Sequence, residues 1–278
     1  MSDIIVDTTS LTWLLKLAQR KQTIDGKAHS QLYSVILKAS DSRLSFTSLV
    51  KDGVSSVMRL SIPCAGQGEV VITDIDTTLG VLKYHGGVLT ITPSLDKVKF
   101  KSTNKQTTLS ASKDARAFPH TPSTIAQWAE KSNTLALKIN ADDISYTTND
   151  GKVYDFMVGF TDLNTTSLYE AFRCDSMNGQ KYNKYTLAWQ DGDLTISVGG
   201  ELKGKTKSVM EIGEVASTVA PVREVSFTAD YGGGLEHIFQ HLNSDVGIWI
   251  FDFTDAGMGH PMLITLGDGD YIFQASNL

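Results

Sequence analysis

Three groups of residues have the types and spacing to do chemistry. Gly199-Gly200-Glu201-Leu202-Lys203-Gly204-Lys205-Thr206 matches the pattern G-x-x-x-x-G-K-[ST]. In that loop, backbone N–H groups cradle phosphates and the Lys reaches the β- and γ-phosphates. A strand-like run, 194–198, precedes it, and a Walker-B-like Ile248-Trp249-Ile250-Phe251-Asp252 follows. The loop also needs a helix directly behind it. Ser208-Val209-Met210-Glu211-Ile212-Gly213 alternates instead, as a strand does. Only 72 residues (278 − 206) follow Thr206, few for a parallel sheet with crossover helices. Residues 199–206 therefore read as a Gly- and Lys-rich hairpin turn, with an NTP-binding enzyme as the alternative. His237 and His241, four apart on a helical stretch, could share a metal. Ile238, Phe239 and Gln240 lie between them, so no H-E-x-x-H arrangement exists, and a solvated helix face accounts for the pair. Asp252 and Asp255 could form a general acid–base pair, but turn chemistry ahead of Ala256-Gly257-Met258-Gly259 explains them equally. G-x-S-x-G is absent. The expectation is a protein that is not an enzyme, with no catalytic residues, no cofactor and no metal.

Composition narrows the class. Lys and Arg number 25 against 31 Asp and Glu, a formal charge of −6. That excludes a uniformly basic coat for nucleic acid but leaves room for a local basic patch. Apolar residues at 41% and charged residues at 20% suit a soluble globular chain. Two cysteines, Cys64 and Cys174, are too few for a disulfide framework or a thiolate zinc site. No apolar run approaches the roughly 18–20 residues of a membrane span, and residues 1–7 show no secretory signal. A cytoplasmic protein without membrane contact is expected.

The elements that would position such residues come in a repeat. Segments 6–15, 73–82, 161–172 and 228–239 each follow a short apolar strand. Each carries Asp, then small polar or Gly residues, then an apolar helix start; the Asp/Thr/Asn cluster suits an N-cap. Taking Leu11, Leu79, Leu168 and Leu235 as anchors, the spacing is 68 (79 − 11) in the first half and 67 (235 − 168) in the second. Three strand-like runs follow every helix, with turn signals such as Ser40-Asp41-Ser42 and Gln190-Asp191-Gly192-Asp193 between them. The fold class expected is α+β: two similar domains, 1–113 and 153–278, each a duplicated β-α-β-β-β unit. Residues 114–152, with Phe118-Pro119-His120-Thr121-Pro122-Ser123, form the connector. On the first helix Leu11, Leu14, Leu15 and Ala18 share one face while Lys16, Arg20 and Lys21 project elsewhere. The second offers Lys83 and His85. The third packs Leu168, Ala171 and Phe172 with Arg173 off that face and Lys181 beyond it. The fourth offers His237 and His241, with Glu236 opposing them.

A strand–helix–three-strand unit used four times resembles the DNA sliding clamps, the processivity factors of replicative polymerases. Residues 69–82 resemble the second strand and helix of T-even-phage clamps. Residues 37–46 resemble the corresponding hairpin of proliferating cell nuclear antigen. Residues 225–231, 248–253, 260–264 and 271–273 resemble the last unit of both. The resemblance implies the DNA clamp fold and a closed ring of six domains. Two-domain chains would build it as a homotrimer, whereas three-domain bacterial clamps build it as a dimer. It implies helices lining the hole, duplex DNA held without sequence reading, and a replicative polymerase and a clamp loader as partners, in a viral or phage replisome. By position it implies Lys16, Arg20, Lys21, Lys83, Arg173 and Lys181 facing DNA. It also implies a partner-peptide pocket from Phe118, Pro119, Pro261, Met262, Ile264, Tyr271 and Phe273. A tandem β-rich virion or adhesion module is the remaining alternative.

Overall fold

The computed structural model describes residues 2–24, 27–32, 35–50, 56–111, 139–140, 143–147, 151–173, 184–190, 192–200, 204–211, 222–228, 232–256, 259–267 and 269–274. The chain divides into two compact units, Met1–Ser48 with Arg59–Ala129 and Leu49–Met58 with Glu130–Leu278.

The first unit runs β1 (Ile4–Asp7), α1 (Thr8–Ala18), β2 (Arg20–Ile24), β3 (Lys27–Leu32), β4 (Val35–Ser40), β5 (Arg43–Val50), β6 (Ser56–Pro63) and β7 (Gly68–Ile72). It continues through α2 (Ile75–Leu82), β8 (Val88–Pro93), β9 (Lys97–Ser102) and β10 (Lys105–Ser110). The strand before each helix does not join the strands that follow it. β1 pairs with β8 in a sheet ordered β1-β8-β9-β10, and β7 pairs with β4 in the order β6-β5-β4-β7. The two halves have exchanged their leading strands.

The second unit repeats the exchange. Its elements are β11 (Ile139–Asn140), β12 (Asp143–Thr147), β13 (Val153–Leu163), α3 (Thr165–Arg173), β14 (Lys184–Gln190), β15 (Asp193–Gly200) and β16 (Gly204–Glu211). Then come β17 (Glu224–Thr228), α4 (Gly232–His241), β18 (Val246–Phe251), a 3-10 turn (Thr254–Ala256), β19 (Met262–Thr265) and β20 (Tyr271–Gln274). β13 pairs with β18, and β17 pairs with β14 in a sheet ordered β16-β15-β14-β17. Strands β11 and β12, inside the expected connector 114–152, extend the β13 side of the sheet; residues 112–138 lie outside the described set.

The helix starts follow from local chemistry. Asp7 accepts the Ser10 N–H (2.8 Å), Asp74 the Thr77 N–H (2.8 Å), and Asn164 the Thr166 and Ser167 N–H groups (2.9 and 3.2 Å). Each carboxylate or amide oxygen satisfies donors that the first turn leaves free. The fourth helical residue is the anchor in all four helices: Leu11, Thr78, Leu168 and Leu235 are 0%, 1%, 0% and 2% exposed. This corrects the second anchor from Leu79, which is half-buried, to Thr78. The two spacings then become equal at 67 (78 − 11 and 235 − 168). The first helical Thr also has one role twice. Thr8 Oγ1 donates to the Gly87 carbonyl (2.8 Å) and Thr165 Oγ1 to the Leu242 carbonyl (3.2 Å), each just beyond the companion helix. In the second unit Phe172 stacks on Phe239 (5.7 Å) and meets Tyr185 edge-on (5.2 Å), and Tyr185 stacks on Phe227 (5.2 Å). These rings join helices to sheet at the centre of the core.

The turns agree with their residues. Asp41 (φ 52°) and Ser42 (φ 60°) are both left-handed, the conformation a two-residue hairpin between β4 and β5 needs.

Candidate nucleic-acid interface

Lys16 is exposed on α1, Lys83 is the C-cap residue of α2, and Arg173 ends α3, its guanidinium 5.6 Å from the Tyr169 ring. Arg20 and Lys21 were expected on the first helix and are not there. Gln19 turns to extended backbone (φ −72°, ψ 124°), and both residues open β2, paired with Leu32 and Ser30 of β3. Lys181 lies outside the described residues.

The helices are not basic overall. Against Lys16 of α1, Lys83 at the C-cap of α2 and Arg173 of α3 stand Asp76 of α2, Glu170 of α3 and Glu236 of α4. Asp76 is held by the Gln19 side chain, which bridges α1 to α2. One further cation joins the helix side. Lys105, at the start of β10, places its ammonium 5.9 Å from the ring of Tyr84, which is 69% exposed beside Lys83. No sequence spacing links Lys105 to Lys83; the β9–β10 turn brings them together. Under this cluster His85 is buried, with Nδ1 2.9 Å from Ser102 Oγ and Nε2 3.0 Å from Thr107 Oγ1. Burial, helped by the Lys105 charge, holds its pKa below the ordinary histidine value.

The partner-pocket residues fall on two faces of one sheet; Phe118 and Pro119 lie outside the described residues. Met262 pairs with Gln274 and Ile264 with Ile272, so these four share a face. Gln274 accepts the Tyr185 hydroxyl on that face, and Met262 and Ile264 are 0% and 1% exposed. Met262 and Ile264 are therefore core of the second unit. Tyr271 and Phe273 pair with Thr265 and Leu263 on the opposite face, and Pro261 precedes β19.

That opposite face is more aromatic than the sequence indicated. The half-buried Trp249 indole lies flat across the sheet, meeting Phe156 edge-on (4.9 Å) and donating to Thr265 Oγ1 (3.2 Å). Flanking glycines make room: a Cβ on Gly159 would lie 2.3 Å from the indole, and one on Gly247 would lie 2.8 Å from its Nε1. The Walker-B-like pattern is thus strand β18, with Trp249 facing away from the core.

The remaining chemistry resolves into turns. Gly199 pairs with Lys205 and Gly200 with Gly204 across the β15–β16 hairpin, and Gly204–Glu211 is a strand where a phosphate-binding loop would need a helix. Asp252 accepts the Thr254 hydroxyl (2.6 Å) and N–H (3.1 Å), which hold its carboxyl below the usual carboxylate range. Asp255 is separately ion-paired to Lys152. His241 Nδ1 donates to the His237 carbonyl (3.1 Å). Among the described residues, no helix is long and apolar enough to cross a membrane.

Two units of exchanged β-α-β-β-β halves, with paired helices and edge-terminated sheets, define the DNA sliding-clamp fold. Neither a family model nor a curated protein sequence matches the chain. Solved structures do match. The DNA polymerase III beta chain of Streptococcus pneumoniae TIGR4 superposes with TM-score 0.65 at 14% identity, over 100% of this chain and 65% of that one. The polymerase sliding clamp of Bacillus subtilis gives 0.65 at 15%, over 100% and 64%. That of Caulobacter crescentus gives 0.60 at 16%, over 100% and 65%. The chain thus spans slightly under two thirds of the length of these bacterial clamps.

Proposed function

We propose that the chain is a sliding clamp without catalysis of its own, which encircles duplex DNA and tethers a replicative DNA polymerase. The observation that carries this is the strand-exchanged duplication in both units, matched over the whole chain by bacterial polymerase clamps. Three copies of two units supply the six domains of a clamp ring, a homotrimer of about 91 kDa (3 × 30.3). That count favours the T-even-phage and proliferating-cell-nuclear-antigen type, placed in a viral or phage replisome in the host cytoplasm with a clamp loader. β10 and β16 are the outermost strands of their sheets. An open edge invites pairing, and a head-to-tail contact that closes by rotation makes a ring.

In this arrangement Lys16, Lys83, Lys105 and Arg173 face phosphates, with Arg20, Lys21 and Lys181 alongside. Contacts to phosphate position a protein without reading sequence. Partner peptides dock on the face bearing the half-buried Trp249, beside Pro261, Phe118 and Pro119, with the buried Leu263, Tyr271 and Phe273 as its floor. The test is light scattering at micromolar concentration, followed by loading onto nicked circular DNA. The expected result is a 91 kDa particle retained at high salt on circles and lost when they are linearised. A strict monomer, or equal loss from circular and linear DNA, would overturn the proposal.

A further inference from the structure

The duplication supplies an internal comparison for the sheet faces that point away from the core. With the separate β2–β3 ribbon set aside, the second sheet strand after each helix is β5, β9, β15 or β19. The residues on the other face are Arg43 and Ser45 on β5, Asp193, Thr195 and Ser197 on β15, and Leu263, itself fully buried, and Thr265 on β19. Arg43 is already engaged, donating to Ser61 Oγ (3.0 and 2.8 Å). On β9 the same positions are Lys97, Lys99 and Lys101, while Val98 and Phe100 fill the core at 2% and 0% exposure. In a chain of net charge −6, one strand in four carries three consecutive outward cations.

The lysines repeat at two-residue intervals, about 6.8 Å along the strand. Lys97 and Lys101 are exposed and Lys99 half-buried, and none makes an ion pair with a described residue. Their cross-strand neighbours are polar, with the Thr92 hydroxyl already donated to Asp3. Thr90 and Thr92 of β8 sit beside Lys101 and Lys99, and Gln106, Thr108 and Ser110 of β10 sit beside Lys101, Lys99 and Lys97. Three carboxylates lie close by: Asp3 accepts the Thr92 hydroxyl (2.6 Å) next to Lys99, Asp7 caps α1, and Asp96 lies in the loop before Lys97. Its exposed apolar side chains are Ile5 and Val88 at the β1 corner and Leu95 in the loop before Lys97, so none lies within the ladder itself.

We infer that the outward face of β9 is a second nucleic-acid surface, a ladder for the phosphate backbone of a single strand. Lys presents mobile point charges, and Thr, Ser and Gln are ordinary phosphate donors. A straight row of cations follows an extended single strand. A peptide ligand would need a central apolar anchor, which the ladder lacks. This goes beyond the clamp proposal and does not depend on it, because the duplex is assigned to the helix side.

The test measures anisotropy of a fluorescein-labelled oligo(dT) of about 20 nucleotides on the full chain over a NaCl series. Counterion release gives a log–log salt slope of about −0.7 per neutralised phosphate on a single strand. Lys97→Gln/Lys99→Gln/Lys101→Gln should make that slope shallower by about 2, with an unchanged thermal melt. Lys16→Gln/Lys83→Gln/Arg173→Gln should leave that contribution in place. If the ladder triple variant does not fold, Lys99→Gln alone should make the slope shallower by about 0.7. An unchanged slope in the ladder variant would overturn the inference. So would a poly-Glu peptide displacing oligo(dT) at equal ionic strength, or an equal loss of slope on linear duplex.

Discussion

Adding one methyl group at Gly159 should cost stability only while Trp249 is present. The new Cβ would lie 2.3 Å from Cε3 and Cζ3 of the indole, where contact normally begins near 3.5–4.0 Å. The ring must retreat by more than about 1 Å. It cannot slide along its own strand, because Gly247 and Thr265 already close on Nε1. Lifting the ring forfeits the Trp249–Thr265 hydrogen bond, about 1 kcal/mol. It also forfeits the edge-on contact with Phe156, about 0.5–1.5 kcal/mol. The expected cost of Gly159→Ala is about 2 kcal/mol, inside the usual range for overpacking. Urea unfolding of Gly159→Ala, Trp249→Ala and the double variant, at one protein concentration, measures the coupling. In the Trp249→Ala background the Gly159→Ala cost should vanish. If the two costs add within about 0.5 kcal/mol, the indole does not lie on Gly159. Trp249→Ala should also weaken polymerase stimulation at unchanged particle mass if this face docks partners.

Lys205→Ala should leave the melting temperature and clamp activity unchanged, and the wild type should show no saturable ATP binding by calorimetry, since residues 199–206 belong to a hairpin. Lys16→Glu/Lys83→Glu/Arg173→Glu should retain particle mass but abolish processive extension on primed circular DNA, because repulsion is presented in every copy around the ring; wild-type stimulation should fall with salt. His85 has its folded pKa depressed by burial and by Lys105, so the unfolded chain binds its proton first as pH falls. Its stabilising share is therefore complete above the unfolded value of about 6.5 and lost as pH drops below it toward the folded pKa. Thermal midpoints between pH 5 and 8 should show that slope, and His85→Gln should flatten it.

Much of the architecture was legible because it is local. Caps at Asp7, Asp74 and Asn164 and the alternation that begins at 208 are short-range signals, and the caps and residues 208–211 match the structure. The end of α1 was not legible. Gln19, Arg20 and Lys21 are good helix formers with no Gly or Pro among them, so propensity runs on where pairing with β3 takes over. Thr78 was passed over for Leu79 because a buried threonine hydroxyl needs a partner that sequence does not display; here it is the Asp74 carbonyl (2.7 Å). The exchange of β1 and β7, the approach of Lys105 to Tyr84, and the division of Met262 and Ile264 from Tyr271 and Phe273 all depend on pairings between distant residues.

The exchange of leading strands sets a timetable for synthesis. Ile4 of β1 has its partner at Ile91, 87 residues downstream (91 − 4). At about 5–20 residues per second, the ribosome adds that partner some 4–17 seconds later. Through that interval Ile4-Ile5-Val6 is a bare apolar strand with an open edge, the kind of segment that pairs with a neighbouring chain. Asp3 and Asp7 bracket it, and their charges would discourage stacking of nascent copies on one polysome.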